Sequence, residues 1–204
     1  RKPLRVLDVG CGTGYLLDYL RGHLPLAVEP VGIDLSAHAL AFCQQRGAGA
    51  LAQASALELP FAPASFDLIL CIDTLQHLSP GGADRAALAA FARLLRPGGL
   101  LYLRTNSARG HARLVGADPA HYRRYRTEEV AAMLREAGLA VRRATYVNVV
   151  PGLWGMLRET VKLRPARPAH VVELGPGLAI RPYGPRLAWV NRVMHTLLAL
   201  EARL

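Results

Sequence analysis

Short apolar stretches alternate along the chain with longer stretches in which apolar residues recur at every third or fourth position. The short stretches predict strands at 4–9, 28–34, 50–54, 66–72, 99–105 and 141–147. The longer, amphipathic stretches predict helices near 14–22, 37–46, 83–95 and 127–137. Regular strand-helix alternation is typical of a parallel sheet covered on both faces. The pattern therefore predicts an α/β domain with a doubly wound, mostly parallel sheet.

The first predicted strand runs through Asp8 into three glycines spaced one residue apart, Gly10, Gly12 and Gly14, and a helix-like pattern follows at once. A glycine turn between a strand and a helix N-terminus lets a ligand approach the backbone without interference from Cβ atoms. The spacing is G-x-G-x-G and differs from the G-x-G-x-x-G of dinucleotide enzymes. A tight structural turn without a ligand is the alternative interpretation.

The second predicted strand ends in an acid, Asp34, twenty positions after Gly14. A carboxylate at that strand end can accept hydrogen bonds from both ribose hydroxyls of a nucleoside. A solvated loop acid is the alternative. Ser36 is placed to cap the helix that follows.

Two further passages complete the set of motifs. Residues 55–61 read Ser-Ala-Leu-Glu-Leu-Pro-Phe and are followed by Ser65-Phe66-Asp67. Residues 96–99 read Arg-Pro-Gly-Gly, where Pro97 is expected to end a helix and the two glycines to supply a turn into the fifth strand. In this order over residues 4–105, the motifs resemble those of the class I S-adenosylmethionine-dependent methyltransferases, in the small-molecule branch typified by ubiquinone and menaquinone methyltransferases.

The resemblance implies a Rossmann-like sheet of six or seven strands, with S-adenosylmethionine as cofactor and S-adenosylhomocysteine as product. It implies cofactor contacts from Asp8, Gly10, Cys11, Gly12, Gly14, Asp34, Leu35, Ser55, Ala56 and Cys71. Ser55 stands where the family carries an acid that contacts the adenine amino group, and a hydroxyl accepts a hydrogen bond without a charge. Adenine recognition is then expected to be weaker or to use backbone groups such as the Ala56 amide. For Cys11 and Cys71, small apolar packing is the alternative role.

Methyl transfer from a sulfonium is an in-line displacement, so positioning and exclusion of water supply much of the acceleration. A base is needed only where the acceptor must lose a proton. His77, just past the fourth strand, is the candidate base, and simple packing against its loop is the alternative. His121 and Tyr122, the other candidate catalytic residues, precede the helix at Thr127, in a segment that resembles the substrate-proximal loop of the family. Arg124, beside them, is suited to an anionic acceptor.

Composition and charge indicate which kinds of molecule the chain is able to bind. The chain has 204 residues, 51% of them hydrophobic, which is enough for one α/β domain with a substantial core. The formal net charge of +10 lies entirely in the second half. An excess of arginine predicts an anionic partner, namely a phosphorylated or carboxylated acceptor, a membrane surface or a nucleic acid. A solvated arginine-rich surface is the alternative.

Nucleic acid is the least favoured of these partners. Ile72-Asp73-Thr74-Leu75 stands where amino-directed base methyltransferases carry Asn/Asp-Pro-Pro-aromatic, and no cysteine follows a proline as in cytosine C5 enzymes. The three cysteines share no metal-binding spacing and suggest no disulfide framework, so no metal site is predicted. Neither a signal peptide nor a spanning apolar run is visible, and a cytoplasmic location is expected.

Two regions are predicted, a cofactor-binding core at 1–150 and a basic, helical C-terminal extension at 151–204. The extension is expected to pack on or cover the substrate side. Its last apolar helix, near 187–204, leaves open a homodimer contact or a peripheral membrane contact. The chain opens three residues before the first strand, so the N-terminal lid helices of the family are expected to be missing from it.

The sequence thus predicts an S-adenosylmethionine-dependent enzyme that methylates an oxygen or nitrogen of a small-molecule biosynthetic acceptor. Two alternatives stay open. One is an RNA- or protein-directed methyltransferase, which only the basic second half favours. The other is a catalytically silent domain that binds the nucleoside or acts as a scaffold. Ser55 favours it, as does the expected lack of the N-terminal lid helices and of the last strand of the family.

Overall fold

The computed structural model describes residues 2–79, 81–108, 123–146 and 196. The described residues form five strands, β1 Leu4–Val9, β2 Val28–Asp34, β3 Ala50–Gln53, β4 Phe66–Ile72 and β5 Leu95–Arg104. Their helices are α1 Tyr15–His23, α2 Ala37–Gln45, α3 Ala83–Leu94 and α4 Thr127–Glu136, with a 3₁₀ turn at Leu75–His77. Each predicted helix is present, displaced by at most one residue at either end. All of these elements belong to one compact unit.

The sheet places β1 at its centre. Its strands are all parallel, in the order β3-β2-β1-β4-β5. Leu7 of β1 pairs with Val31 of β2 on one side and with Ile69 of β4 on the other. After β3 the chain returns across β1, so the direction of strand addition reverses between β1 and β4. In an open α/β sheet, ligands bind outside the carboxyl ends of the strands at such a reversal.

Helices cover both faces of this sheet. Leu7 points to the face where the main core forms, and Phe91 of α3 lies in the same core cluster. Successive residues of a strand point to opposite faces of the sheet, so Gly32, next to Val31 in β2, faces the other side. There it lies against α1, because a Cβ atom on Gly32 would overlap the Leu17 side chain. Leu17 packs in a second cluster with Cys43 of α2. The doubly wound α/β class predicted from the sequence is therefore confirmed.

The entry into β5 differs from the prediction. The strand begins at Leu95 rather than at residue 99, directly after α3 ends at Leu94. Phe66 pairs with Leu95, while Leu68 pairs with Leu100, so β5 carries extra residues that bulge out of the ladder. Gly98 lies in this bulge with φ +79°, which a glycine adopts without strain. The proline and the two glycines thus shape a bulge inside the strand and not a turn before it.

The predicted strand at 141–147 is not formed by its described part. Residues 141–146 are not in a strand, so no sixth strand is seen in the portion of the chain that the structure describes. The predicted extension at 151–204 lies outside the described residues, apart from residue 196. None of the described helices is both long and apolar enough to cross a membrane.

Candidate active site

The glycine turn follows β1 at the strand-order reversal. Gly10, Gly12 and Gly14 have φ values of +76°, +53° and +78°, all in the left-handed region. A Cβ at Gly10 would overlap the Thr74 hydroxyl, and one at Gly14 would overlap the Cys43 thiol. A Cβ at Gly12 would meet nothing within 4 Å. The outer two glycines are therefore required by packing within the protein, whereas the middle one faces open space.

Asp34, at the end of β2, is held by two backbone amides. Its Oδ2 accepts a hydrogen bond from the Gly12 amide at 2.9 Å, and its Oδ1 accepts one from the Ser36 amide at 2.8 Å. Each carboxylate oxygen can accept further bonds, so the group stays available to a ligand. The predicted cap on α2 is present, because Ser36 Oγ accepts from the Ala39 amide at 3.2 Å. Leu35, next to the acid, is 68% exposed.

Asp8 lies one position before the end of β1 and is only 3% exposed. Burial raises the pKa of its carboxyl group to about 7, and the charge of Asp34 adds to the rise. Among the described residues, none donates a hydrogen bond to this carboxylate. A buried acid without a partner favours a cation brought to it from outside.

Thr13 is a candidate site residue that the sequence motifs did not single out. Its Oγ1 is buried and has no hydrogen-bond partner among the described residues. The hydroxyl sits in the glycine turn, just before α1, whose N-cap Gly14 supplies no side-chain cap. Most buried polar atoms are satisfied, so a buried hydroxyl without a partner among the described residues is available to a ligand at this turn. A hydroxyl residue between two glycines of the turn was the available signal.

The predicted adenine end has its own geometry. Ser55 Oγ accepts from the Leu57 amide at 3.2 Å, so one of its lone pairs is already used. Ala56 is buried, and no acceptor for its amide lies among the described residues. Leu35 and Leu57, next to Asp34 and Ala56 in the chain, have exposed apolar side chains. An amide donor and two apolar side chains suit a flat heterocycle.

The thiols of the predicted cofactor site are buried. Cys71 lies in the main core, and burial raises its pKa to about 12. Cys11 packs with Cys43 in the smaller cluster, and burial raises its pKa as well. Neutral, buried thiols pack as small apolar groups. At these two positions, a ligand would therefore contact backbone atoms and not the thiols. The backbone on either side of Cys11, in the glycine turn, is an example.

The 3₁₀ turn carries His77 beyond the carboxyl end of β4, with its side chain exposed. The turn is tied to the centre of the sheet, because Thr74 Oγ1 donates to the Val9 carbonyl at 2.9 Å. Asp73 precedes it with φ +54°, unusual for a residue with a side chain. Its carboxylate forms a two-bond pair with Arg104 at the end of β5. This Asp73–Arg104 pair, which the motifs did not indicate, borders the turn of His77.

The predicted acceptor segment is described only in part. His121 and Tyr122 lie outside the described residues, whereas Arg124 lies within them and is half-buried. Within the described part of the chain, no three His, Cys, Asp or Glu side chains converge on a common point as metal ligands do.

Comparison with known proteins agrees with this geometry. The family described as "Methyltransferase domain" matches residues 7–103. The Ubiquinone biosynthesis O-methyltransferase of Burkholderia multivorans is 30% identical over 197 residues, which cover 92% of this chain and 73% of that protein. The chain belongs to the class I S-adenosylmethionine-dependent methyltransferases. The resemblance of the sequence motifs to this family is therefore confirmed.

Two other proteins are similar to this methyltransferase. The uncharacterised Synechococcus protein syc1184_c is 39% identical over 117 residues, covering 54% of this chain, and this chain spans only 27% of its length. The crystal structure of the YcgJ protein of Bacillus subtilis superposes with a TM-score of 0.59 at 26% identity, covering 79% of this chain and 76% of that one.

Proposed function

We propose that the methyltransferase binds S-adenosylmethionine across the carboxyl ends of β1 and β2 and methylates an oxygen or nitrogen of a small-molecule acceptor. One observation carries the proposal. The Asp34 carboxylate is fixed by the amide of Gly12, and Gly12 itself borders open space. A carboxylate held at that place is suited to a ribose diol, and the open backbone beside it is suited to close approach of the nucleoside.

The remaining groups fit the two ends of that cofactor. At one end, the buried Asp8 suits an ammonium group, and the orphaned Thr13 hydroxyl suits a polar atom of the amino-acid part. At the other end, the Ala56 amide and the exposed Leu35 suit adenine. The family's adenine acid is absent here, so we propose that Ser55 and this amide replace it.

S-adenosylmethionine supplies an activated sulfonium methyl group when bound. The work left to the chain is to position the acceptor, exclude water and remove a proton where the acceptor carries one. We assign proton removal to the imidazole of His77, exposed at the carboxyl end of β4. An unprotonated ring nitrogen takes the acceptor proton as the new bond to carbon forms. His121 and Tyr122 remain candidate acceptor contacts on the strength of the sequence.

A small-molecule acceptor is supported by the name of the Burkholderia relative, which refers to ubiquinone biosynthesis. The net charge of the second half supports an anionic acceptor, with Arg124 as a contact. A cytoplasmic location, a homodimer, a peripheral membrane contact and a role of residues 151–204 in covering the substrate side stay predictions from the sequence. The absence of base-methylation motifs argues against a nucleic acid acceptor.

The test is transfer of an isotope-labelled methyl group from S-adenosylmethionine to a panel of phenols, amines and their carboxylated analogues. A total tRNA sample and a denatured protein mixture serve as the macromolecular arms. The proposal expects label in one or more small molecules, and preference for carboxylated ones would support an anionic acceptor. Label only in RNA or protein would overturn the acceptor class. Cofactor binding with no labelled product in any arm would favour the silent scaffold.

A further inference from the structure

A buried polar cluster lies beside the 3₁₀ turn. Asp84, in the first turn of α3, is fully buried. Its Oδ2 accepts from Nη1 of Arg123 at 2.6 Å, and its Oδ1 accepts from the Arg85 amide at 2.9 Å. A charged carboxylate is held in such a place only when it is paired and hydrogen-bonded. Arg123 is therefore the group that permits Asp84 to be buried here.

Arg123 is anchored at both its ends. Its backbone amide donates to the Gln76 carbonyl, in the middle of the 3₁₀ turn, at 3.0 Å. Its guanidinium lies over the Tyr125 ring, with 5.2 Å from Cζ to the ring centroid, and Nη2 is 3.6 Å from Glu129 Oε1. One residue thus connects α3, α4 and the turn that carries His77.

The turn is held from its other sides as well. The buried Gln76 accepts a hydrogen bond through Oε1 from Thr105 Oγ1, just beyond β5, at 3.0 Å. The Tyr125 hydroxyl lies 3.3 Å from the Leu75 carbonyl and 3.4 Å from Asp84 Oδ2, and its one proton can be donated to either oxygen. Burial raises the pKa of Tyr125 to about 12, so this donor keeps its proton. The backbone of the turn is thereby fixed on the residues immediately before His77.

The cluster is separate from the cofactor residues. Across the described part of the chain, no hydrogen bond joins Asp84, Arg123, Gln76 or Tyr125 to the glycine turn or to Asp34. The 3₁₀ turn meets the glycine turn through Thr74 instead, whose Oγ1 donates to the Val9 carbonyl and lies where a Cβ at Gly10 would be. The cluster holds the other residues of the 3₁₀ turn, Leu75 and Gln76. A change in the cluster should reach the acceptor side without reaching the nucleoside.

We infer that Arg123, paired with Asp84, is a positioning residue that fixes the turn carrying His77 and so sets the place of its imidazole. The inference rests on the proposed function, in which His77 acts on the acceptor. It makes a separable claim about structure, because the place of the His77 imidazole can be measured without an acceptor. A pair that served only stability would be replaceable by apolar side chains of similar size.

Three changes and one control test this inference. The double variant Asp84→Leu/Arg123→Met replaces the ion pair by apolar side chains. Arg123→Met alone leaves the Asp84 carboxylate without its charged partner. Arg123→Lys keeps the positive charge but lacks the planar guanidinium. The control is Arg85→Ala, which removes an exposed ion pair to Glu136 between the same two helices, with side chains 53% and 57% exposed. The readouts are the unfolding midpoint, the Kd for S-adenosylhomocysteine, the NMR signals of the His77 imidazole and the kcat of methyl transfer.

We expect Arg123→Met to lower the unfolding midpoint or to prevent folding, since it strands a buried charge. The double variant should recover the midpoint and keep the Kd within about twofold of the parent. Its His77 signals should stay displaced and its kcat should fall about tenfold or more. Arg123→Lys should fold with a smaller displacement in the same direction, and the control should match the parent in all four readouts.

The inference is wrong if the folded double variant shows the same His77 NMR signals as the parent protein. If the Met variants do not fold, the same comparison is made with Arg123→Lys. A fall in affinity for S-adenosylhomocysteine that accompanies the His77 change would overturn the separation of the two halves. If the parent itself methylates no acceptor, the proposed function fails, and the His77 signals still decide the positioning role.

Discussion

The backbone amide of Gly12 donates a hydrogen bond to Oδ2 of Asp34, with an N–O distance of 2.9 Å. This bond ties the middle of the glycine turn to the acid at the end of the neighbouring strand. It fixes the direction of the carboxylate before any ligand arrives, and so lowers the ordering that a nucleoside must impose when it binds. Gly12 and Asp34 therefore form the rigid part of the proposed cofactor site.

Replacing Asp34 by alanine should weaken binding of S-adenosylhomocysteine by about 1–3 kcal/mol, because ribose hydroxyls lose their acceptor. Calorimetric titration measures the change. Ser36→Ala is the matched control, since it removes the nearby cap of α2 and about 1 kcal/mol of stability without touching the carboxylate. Equal losses of affinity in the two variants would show that Asp34 acts only by ordering the loop.

Alanine substitutions at the three glycines should have different effects on stability and on ligand affinity. All three have positive φ, so each change costs about 1–2 kcal/mol in backbone strain. Gly10→Ala and Gly14→Ala also overlap Thr74 and Cys43, and overpacking adds about 1–3 kcal/mol. Gly12→Ala should therefore be the least destabilised in chemical denaturation and yet lose affinity for the nucleoside. A Gly12→Ala protein that binds as tightly as the parent would argue that the ligand does not approach this position.

Asp8→Asn should raise stability at alkaline pH while weakening ligand binding. The native pKa of Asp8 is about 7, above the value of 3.8 for an unperturbed group, so the folded state holds a proton that the unfolded state has released. Between these two values, ionisation therefore removes stability as pH rises, in total on the order of a few kcal/mol. The asparagine amide does not ionise, so the variant should unfold at higher denaturant than the parent at pH 8. The difference should shrink towards pH 4.

Ligand affinity gives the complementary test of Asp8. In the parent, affinity for S-adenosylhomocysteine should rise as pH passes through about 7, when the carboxylate gains its charge. In Asp8→Asn this rise should be absent. A rise of the same size in both proteins would assign it to another group.

His77→Ala should leave the Kd for S-adenosylhomocysteine unchanged and lower kcat by about 10²–10⁴, the range of general base catalysis. The measurement uses an acceptor found in the transfer panel. His38→Ala is the matched control, because this exposed imidazole lies on α2 away from the 3₁₀ turn. Unchanged turnover in His77→Ala would remove His77 from the mechanism.

Local pattern was sufficient to place the glycine turn and Asp34 at the ends of neighbouring strands. The glycine turn follows β1 and Asp34 ends β2, both of which are short and mostly apolar, and parallel strands bring their carboxyl ends together. Ser36 needed only its neighbours to be recognised as a cap. For the same reason the helices were predicted to within one residue, since their caps and periodicity are properties of adjacent residues.

Long-range contacts account for what the sequence did not indicate. Asp84 and Arg123 are 39 residues apart, and nothing in the local pattern of either predicts a buried pair. The bulge at the start of β5 arises from pairing with β4, which decides where the ladder of hydrogen bonds resumes. Residues 141–146 include the strand-forming residues Val141, Thr145 and Tyr146, yet a strand forms only where a neighbouring edge pairs with it. The Thr13 hydroxyl became informative only through its burial.

The most direct measurement is calorimetric titration of the chain with S-adenosylmethionine and S-adenosylhomocysteine, with NAD as the control nucleotide. We expect micromolar binding of both sulfur nucleosides, binding weaker by about 1–3 kcal/mol in Asp34→Ala, and no heat from NAD. Absence of binding by either sulfur nucleoside, or equal binding of NAD, would contradict the assignment of the glycine turn and Asp34 as the cofactor site.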